Sequence, residues 1–495
     1  MAAAIRAADF GRRVCLIEET KRFGGVDIWS GTLPSKTLWE MAKFRRYLQG
    51  NTSGRFLEKL KPLPNSYDDS HIQSVLSEAS VMRESQIRRQ LIASQVTMLH
   101  GRATFADPHH LHVSPAAESN ASHTLVEASH FVIATGSQPL AHPNLPYDGE
   151  RIVSSDDIMF LPIPRKLVVI GGGVVGIEFA SIYSSFGVTD ITLVEENSRI
   201  LHKEDEDVAA FVGGLLEAKG RIRFLWNATN IRLSGNPAAS GVRLVVDSSS
   251  NEPTDAVRRE EVDADRVLVA VGRGPRIDNL GLDNLGLLPT SKSHAERDQF
   301  FQLRPHHHIY ICGDCASKRM QTNVAEYEGR AAVEHIYSAR SRDEIRHLQR
   351  LKNFSTISFF DQEVAAVGMN ERKCRARGIR HIVATYGYEF VSRAIAIGNT
   401  RGFVKIITSD DDEKIVLGVR VVGPQAGTVV EMASRVVRQQ QSVYSLLETQ
   451  CAYPAVMQGF QQCALLCVGK STLKPGVFPQ LTLRRWPPST DSVFY

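Results

Sequence analysis

The sequence lacks any apolar run long enough to cross a bilayer, and the longest candidate is interrupted by glycines and contains Glu178. Neither sign of charge dominates, since a net charge of +4 over 495 residues is too small to indicate nucleic acid or an acidic membrane surface as a partner. Residues 1–10 have no basic region and contain Asp9, so they do not predict a secretory signal. The seven cysteines are an odd number, mostly in apolar surroundings, which favours reduced thiols over a disulfide framework. These absences predict a cytoplasmic protein without a membrane or nucleic-acid partner.

The length allows about three domains. A central stretch has the pattern of a dinucleotide-binding unit. A run of β-branched residues predicts a buried strand that ends in a G-x-G-x-x-G turn formed by Gly171, Gly173 and Gly176. Because glycine has no side chain, it allows a tight turn, lets a pyrophosphate approach the helix N-terminus, and lets the helix pack closely on the strand. A second strand ends at Glu195, where a carboxylate can accept from a ribose 2′-hydroxyl and would repel a 2′-phosphate. The unit therefore predicts a preference for NAD(H) over NADP(H), although Arg199 could accommodate the phosphate.

The first residues have the pattern of the second half of another dinucleotide unit. An alanine-rich helix to Ala8 is followed by a turn at Gly11 and by a short apolar strand that ends at Glu18. A nucleotide-binding fold requires a strand and a glycine loop before such a helix. We therefore expect this strand and loop to be missing from the sequence.

Residues 24–38, GGVDIWSGTLPSKTL, start with Gly24 and Gly25. They resemble the turn and active-site helix of the pyridine nucleotide-disulfide oxidoreductases, FAD flavoenzymes that include lipoamide dehydrogenase, glutathione reductase and soluble transhydrogenase. Most members have two cysteines here that form a redox disulfide beside the flavin, whereas this sequence has Asp27 and Thr32. Neither side chain can form a disulfide, which excludes dithiol chemistry at this place. The phrase GTLPSK resembles in particular the soluble, Si-specific NAD(P) transhydrogenases, which have threonine at the second cysteine position.

The resemblance implies bound FAD and NAD(P) and a catalytic ion pair. In the family, the lysine that matches Lys36 lies beside the reactive flavin nitrogen and pairs with the glutamate that matches Glu178. The strand IYICGD resembles the family strand whose aspartate, here Asp314, contacts the FAD ribityl hydroxyls. The turns ATG and VGR resemble the family's connections at the two ends of the nicotinamide domain. The implied cofactor-binding residues are Glu18, Gly24, Gly25, Lys36, Thr135, Gly136, Gly171, Gly173, Gly176, Glu178, Glu195, Gly272, Arg273 and Asp314.

The C-terminal part, from about residue 353, resembles the family's interface domain, which implies a homodimer. In the disulfide enzymes this domain supplies a histidine and a glutamate that act as a general-acid pair on the partner's thiols. Here Tyr453 and Gln458 occupy those positions, and tyrosine also replaces the histidine in soluble transhydrogenases. No imidazole remains to protonate a thiolate, and glutamine cannot orient one. The sequence therefore lacks both the redox cysteines and the acid-base pair of the disulfide enzymes.

The expected fold is α/β, with two Rossmann-like domains that bind FAD and NAD and a C-terminal α+β dimerisation domain. The expected boundaries are 1–160 and 281–350 for the two parts of the FAD-binding domain, 161–280 for the NAD(P)-binding domain, 351–471 for the dimerisation domain, and 472–495 for a loosely ordered tail.

Two motifs have competing interpretations. Cys312 and Cys315 form C-x-x-C, which alone could indicate a redox pair. Flavin binding explains the Gly-Asp between them, and Cys312 is expected inside a strand as a small apolar residue. The histidines at 109, 110, 112 and 306–308 are interpreted as loop residues, because no second ligand set with suitable spacing is nearby. No metal site is predicted.

Periodicity and composition predict further elements. A helix that starts near Pro34 would have an apolar face that includes Met41, Phe44 and Leu48. A second helix is predicted over residues 77–94. The predicted surface loops are residues 51–69, 115–123 and 234–260.

These features favour transhydrogenation, in which NADPH gives hydride to FAD and is then replaced at the same site by NAD+. Three alternatives stay open. One is an NAD(P)H:acceptor oxidoreductase that reduces a quinone, dye or oxygen, and another is a dihydrolipoamide dehydrogenase-like protein without disulfide activity. The third is a non-catalytic nucleotide-binding dimer, which the missing first glycine loop, Asp27 and Gln458 would favour.

Overall fold

The computed structural model describes residues 1–48, 68–115, 123–235, 241–249, 256–287, 296–338, 353–448 and 450–488. The helices are α1 Ala2–Asp9, α2 Gly25–Trp29, α3 Thr32–Leu48, α4 Asp69–Ala93, α5 Val174–Phe186, α6 Glu206–Glu217, α7 Thr322–Tyr337, α8 Glu371–Ala376, α9 Ser392–Ala396, α10 Ala426–Arg438, α11 Tyr444–Leu447 and α12 Met457–Cys467. Single turns of 3-10 helix are Ile158–Phe160, Leu282–Leu285, Gly313–Cys315 and Tyr388–Phe390. Within these ranges, no helix has both the length and the apolar composition that a membrane crossing requires.

The chain also contains the following strands, which pair into several sheets. They are β1 Cys15–Glu18, β2 Thr97–His100, β3 Arg102–Asp107, β4 His110–Ser114, β5 Thr124–Glu127, β6 Phe131–Ile133, β7 Ser137–Pro139, β8 Ile152–Val153, β9 Lys166–Ile170, β10 Asp190–Val194, β11 Ile222–Leu225, β12 Asn230–Leu233, β13 Val242–Ser248, β14 Arg258–Ala264, β15 Arg266–Val269, β16 Arg273–Pro275, β17 Gln302–Leu303, β18 His306–Ile311, β19 Thr356–Phe359, β20 Glu363–Gly368, β21 His381–Gly387, β22 Phe403–Ser409, β23 Val416–Val422 and β24 Thr482–Trp486.

A five-stranded parallel sheet, in the order β11-β10-β9-β15-β8, forms the middle of the fold. The apolar run of β9 is buried from Leu167 to Ile170, as expected for a strand covered on both faces. The glycine turn follows, and α5 starts after Gly173 and ends before Gly187, whose left-handed conformation stops the helix. Tyr183 and most other side chains of α5 are buried between this sheet and α3. This is the strand, turn and helix predicted for a dinucleotide unit.

The predicted loop at 234–260 is wrong in part, because it contains β13 and the start of β14, two strands of an antiparallel sheet in the order β12-β13-β14. β13 is buried along almost its whole length, with Leu244 and Val246 fully buried. Polar neighbours on both sides masked this short apolar run in the sequence. Residues 236–240 and 250–255, which belong to the same predicted loop, lie outside the described residues.

Two smaller parallel strand pairs, β1 with β2 and β6 with β18, lie near the chain's first helix. There α1 packs against α7 at Gly329, where an added Cβ would be 3.4 Å from the backbone nitrogen of Ala3. Arg6 and Glu334 pair across the same contact at 3.1 Å. The contact between α1 and α7 therefore joins two segments that lie far apart in the sequence.

The C-terminal part is a six-stranded antiparallel sheet in the order β19-β20-β23-β22-β21-β24, covered by α10 and α12. The expectation of a loosely ordered tail is wrong for Thr482–Trp486, because this segment pairs with β21 as the edge strand. Leu481, directly before it, is buried in the core of the sheet. Residues 489–495 lie outside the described residues.

Two helices of the N-terminal part, α3 and α4, also differ from expectation. α3 buries Leu38, Trp39 and Ala42, whereas Phe44, which was predicted to face the core, is 65% exposed. Burial of each large apolar side chain of this face contributes about 2 kcal/mol, so the observed face and not the predicted one holds α3 in place. α4 starts at Asp69 rather than at residue 77, because Asp68 caps it by accepting from two backbone N–H groups.

Candidate functional site

The glycine turn after β9 has little room for side chains. Gly171 has φ +108°, and a Cβ there would lie 2.6 Å from the carbonyl oxygen of Ala270. A Cβ on Gly176 would overlap the carbonyl oxygen of Gly171. Gly173 differs, since nothing lies within 4 Å of the place that its Cβ would take. Open space therefore faces the N-terminus of α5, where unpaired backbone N–H groups favour an anion such as a pyrophosphate.

Glu195 lies directly after β10 and is 4% exposed. One carboxylate oxygen accepts from the backbone N–H of Gly172, and the other accepts from the backbone N–H of Asn197 at 2.8 Å. The nearby Arg199 donates to the backbone carbonyls of its own loop, at 3.1 Å to both His202 and Glu204. The carboxylate thus lies against the glycine turn, and the guanidinium is already occupied by the protein.

Lys36 and Glu178 form the ion pair that the resemblance implies. Lys36, one turn into α3, places Nζ 2.8 Å from Oε2 of Glu178, which lies in the second turn of α5. The other oxygen of Glu178 accepts from the backbone N–H of Phe359 at 2.8 Å, and the ring of Phe359 lies 5.0 Å from Nζ of Lys36. Nζ also donates to Ser35 at 3.3 Å. The two side chains are 24% and 11% exposed, so the pair is largely shielded but reachable.

The positions of the family disulfide carry other contacts. Asp27, on α2, accepts from the hydroxyl of Thr322 at 2.9 Å, and Thr322 is the first residue of α7. Thr32 is the first residue of α3. Among the described residues every cysteine is free, so no disulfide stands in for the missing pair.

The two residues that replace the family's acid-base pair lie in the C-terminal part. Tyr453 is 73% exposed, and its hydroxyl donates to Ser392 at 3.2 Å. Gln458 is the second residue of α12. Neither contains a group that exchanges a proton near neutral pH as an imidazole does.

Asp314 lies in the turn after β18 and accepts from the hydroxyl of Ser137 at 2.8 Å through Oδ2. Burial raises the pKa of Asp314, and the hydrogen bond from Ser137 and the charge of Arg273 oppose this shift. Oδ1 has no hydrogen-bond donor among the described residues. Asp314 is half-buried, and a carboxylate oxygen that is reachable and has no protein donor can accept from a ligand hydroxyl, such as that of a flavin ribityl chain.

The other predicted contacts lie around this carboxylate and at the ends of nearby strands. Arg273 donates to Ser137 at 3.0 Å and pairs with Asp156 at 2.6 Å. Glu18, at the end of β1, accepts from Thr20 at 3.1 Å. The remaining residues are Gly25, which starts α2, and Gly24, Thr135, Gly136 and Gly272, which lie between elements. The Thr135 hydroxyl donates to a backbone carbonyl, that of Arg276.

Sequence reasoning missed two residues that contact these groups. Ser137 joins Asp314 to Arg273, and its place directly after the turn that contains Thr135 and Gly136 was the only available signal. Phe359 holds Glu178 through a backbone N–H, a contact that no side-chain pattern can reveal.

Cys312 and Cys315 are both buried, and burial raises the pKa of each thiol. Cys312 follows β18 rather than lying inside it, which corrects the predicted position. The thiol of Cys315 donates to the carbonyl of Cys312 at 3.1 Å. Raised pKa values and poor access disfavour the thiolate that redox exchange requires.

The interpretation as loop residues is right for His109, which lies in the turn between β3 and β4, and wrong for the others, since His110 and His112 lie in β4 and residues 306–308 lie in β18. His306 and His308 are hydrogen-bonded to backbone carbonyls at 2.8 and 2.7 Å. In the described part of the chain, the one group with metal-like spacing is Asp205, Asp207 and Glu371. The ammonium of Lys405 lies among these carboxylates at 3.0, 2.8 and 2.5 Å and takes the place of a cation.

Comparisons with known proteins agree with this architecture. The family model described as pyridine nucleotide-disulphide oxidoreductase matches residues 1–329, and the corresponding dimerisation domain matches residues 354–464. The dihydrolipoyl dehydrogenase of Bacillus subtilis is 28% identical over 94% of this chain and 94% of its own. The soluble pyridine nucleotide transhydrogenase of Mycobacterium bovis is 29% identical, with the same coverage of both chains.

The crystal structure of LpdA from Mycobacterium tuberculosis superposes with a TM-score of 0.78 at 24% identity, over 94% of this chain and 96% of that one. The likeness confirms the predicted fold class. FAD and NAD(P) are the cofactors of the matched family, and the dimerisation domain supports the expected homodimer. The chain belongs to the pyridine nucleotide-disulphide oxidoreductase family.

Proposed function

We propose that this oxidoreductase is an FAD-dependent transhydrogenase that moves hydride between NADPH and NAD+. The observation that carries the proposal is a contrast within one site. The Lys36 and Glu178 pair is intact at 2.8 Å, whereas Asp27 and Thr32 occupy the positions of the redox thiols. A site with the ion pair and without thiols can exchange hydride between nucleotides but cannot reduce a disulfide by dithiol exchange.

FAD, when bound, supplies a ring that accepts hydride from one nicotinamide and returns it to another. In this proposal the residues that hold FAD are Glu18, Gly24, Gly25, Lys36, Thr135, Gly136 and Asp314. Those that hold the nicotinamide nucleotide are Gly171, Gly173, Gly176, Glu178, Glu195, Gly272 and Arg273. One nucleotide site used in turn by both nucleotides gives a ping-pong cycle.

The ion pair suits this role because each member has a bonding group to spare. The ammonium of Lys36 has three N–H donors, and contacts within the described residues account for two of them, to Glu178 and Ser35. A third donor remains for a ring nitrogen of the cofactor. Glu178 pairs with the ammonium at 2.8 Å in a largely shielded site, and the backbone N–H of Phe359 holds the other carboxylate oxygen.

Asp27 strengthens the argument against disulfide chemistry. Its carboxylate accepts from the hydroxyl of Thr322, which holds it in place. A fixed anion at the position of a family cysteine would repel an attacking thiolate as well as lack a sulfur.

A second candidate, an NAD(P)H:acceptor oxidoreductase, is favoured by the surroundings of Glu195. A buried carboxylate would repel the 2′-phosphate of NADP(H), and Arg199 is held by backbone carbonyls. An enzyme that uses NADH alone would pass electrons to a quinone, dye or oxygen.

A cytoplasmic location is also proposed, and the free thiols of the described cysteines are consistent with a reducing compartment.

The test uses the full chain purified as a dimer and loaded with FAD. Hydride transfer is measured from NADPH to an NAD+ analogue whose reduced form absorbs at a distinct wavelength, with Lys36→Met as the matched variant. We expect transfer by the wild type, a loss of at least about tenfold in the variant, and no oxidation of dihydrolipoamide. Flavin reduction by NADH without any transfer between nucleotides would replace the proposal by the acceptor oxidoreductase. Nucleotide binding without bound flavin would leave only the non-catalytic dimer.

A further inference from the structure

Three consecutive residues, 359–361, connect the dimerisation domain to the site, and we call them the clamp segment. Phe359 is the last residue of β19 and donates its backbone N–H to Glu178 at 2.8 Å. The carbonyl of Phe360 accepts from the indole N–H of Trp39 at 2.7 Å. The carboxylate of Asp361 pairs with Arg46 and, at 2.9 Å, with Lys219.

The clamp segment fixes both members of the ion pair. Glu178 uses one oxygen for Lys36 and the other for the N–H of Phe359, so its carboxylate plane has one orientation. The ring of Phe359 lies 5.0 Å from Nζ of Lys36, within the range of a cation-π contact. The same ring meets the indole of Trp39 edge-on, with centroids 5.1 Å apart. Lys36 is therefore confined by its partner and by a residue from another domain.

Asp361 is the anchor of the clamp segment. It is 6% exposed and pairs with Arg46 of α3 and with Lys219, which follows α6. Lys219 also donates to the hydroxyls of Ser184 and Ser185, at 3.1 and 2.8 Å, near the C-terminal end of α5. A cation at that end is favoured by the helix dipole. One carboxylate thus ties together α3, which carries Lys36, and α5, which carries Glu178.

We infer that Asp361 is a positioning residue for hydride transfer, which acts through the backbone N–H of Phe359 on the Lys36 and Glu178 pair. The inference rests on the proposed function for the role of that pair. Without the Asp361 charge, Arg46 and Lys219 lose their common partner and the clamp segment is free to withdraw from Glu178. The carboxylate would then keep its full negative charge next to the flavin, which disfavours the electron-rich reduced ring.

The test compares Asp361→Asn with Glu371→Gln in the full-length dimer. Glu371 is a matched control, because it is also a buried carboxylate at the contact of the nucleotide-binding and dimerisation parts, but it pairs with Lys405 and not with the clamp segment. We expect Asp361→Asn to lower kcat for flavin reduction by NADH about tenfold, the size expected for the loss of one hydrogen bond to a charged group. KM for NADH should stay within about twofold, because the glycine turn is untouched.

Two further readouts do not depend on turnover. The midpoint potential of the bound flavin should fall by about 30 mV, which is a tenfold change for a two-electron couple. The tryptophan emission of the cofactor-free chain should change in Asp361→Asn, because Trp39 loses its acceptor, and should match the wild type in Glu371→Gln. If Asp361→Asn does not fold, Lys219→Met removes one of the two cations that hold Asp361 and should lower kcat and shift the potential in the same direction.

Equal behaviour of Asp361→Asn and Glu371→Gln, with a wild-type flavin potential in both, would overturn the inference and leave Asp361 a purely structural anchor. The potential and the emission need no second nucleotide. A wild-type enzyme that fails to transfer hydride to NAD+ would therefore refute the proposed function and still allow a positive result here.

Discussion

Lys405 is fully buried at the contact between α6 and the C-terminal sheet, and its replacement by methionine gives the sharpest test of how the two parts are held together. Its ammonium lies 3.0 Å from Asp205, 2.8 Å from Asp207 and 2.5 Å from Glu371. Lys405→Met keeps most of the side-chain volume and removes the charge. The variant therefore reports the loss of the ion cluster rather than the creation of a cavity.

The expected loss in the free energy of unfolding depends on which cations remain near the three carboxylates. Removal of one partner from a buried ion pair costs about 3 to 5 kcal/mol, because the other charge stays buried without compensation. Arg420 remains 3.9 Å from Asp205, and Arg484 remains 3.2 Å from Glu371 but is half exposed. These two cations offset part of the loss, which places the expected decrease in the free energy of unfolding at about 3 kcal/mol.

The pH dependence has a definite sign. Burial acts to raise the pKa of Glu371, but Lys405, Arg484 and Arg375 together outweigh it, and the pKa lies below its ordinary value. Burial acts to lower the pKa of Lys405, but Asp207, Asp205 and Glu371 outweigh it, and the pKa lies above its ordinary value. The Glu371 contribution is present above about pH 4.3 and is lost as pH falls through its folded pKa, whereas the Lys405 contribution is present below about pH 10.4 and is lost as pH rises through its folded pKa. The difference between wild type and Lys405→Met should be largest between these limits.

The assay is urea unfolding followed by tryptophan fluorescence at several pH values. Lys470→Met serves as the control, because Lys470 is exposed and its replacement should change the free energy of unfolding by less than about 0.5 kcal/mol. A decrease of less than about 1 kcal/mol for Lys405→Met at neutral pH would show that the buried cluster does not hold the two parts together.

Three further outcomes follow from the site. Glu178→Gln should slow flavin reduction by NADH about a hundredfold in stopped-flow measurements, because Lys36 loses its counter-charge, and a rate within twofold of wild type would contradict the role of the pair. Glu195→Ala should raise the ratio of kcat/KM for NADPH to that for NADH about tenfold, since a repelling carboxylate is removed, and an unchanged ratio would show that Glu195 does not face the 2′ position. Asp314→Asn should weaken FAD binding about tenfold by fluorescence titration at neutral pH, while wild-type affinity in the variant would remove Asp314 from the flavin site.

Local patterns accounted for the nucleotide-binding unit. β-branched strands, a glycine turn and a helix are specified by residues within thirty positions of one another, because each depends on backbone conformation and on the period of burial. The same argument explains the failures. Phe44 lies on a helix whose apolar residues do not occupy one stripe, and β24 contains two arginines and precedes prolines, so periodicity could identify neither the face of α3 nor the edge strand.

The sequence by itself determined that a dinucleotide-binding fold forms and that redox thiols are absent, because glycine conformation and side-chain chemistry are properties of single residues and short segments. Only the tertiary structure decided which distant groups meet. It joined Asp361 to Arg46 and Lys219, and Lys405 to its three carboxylates. A buried charge must find its partner wherever the packed elements place one, and no local pattern in the chain records where that is.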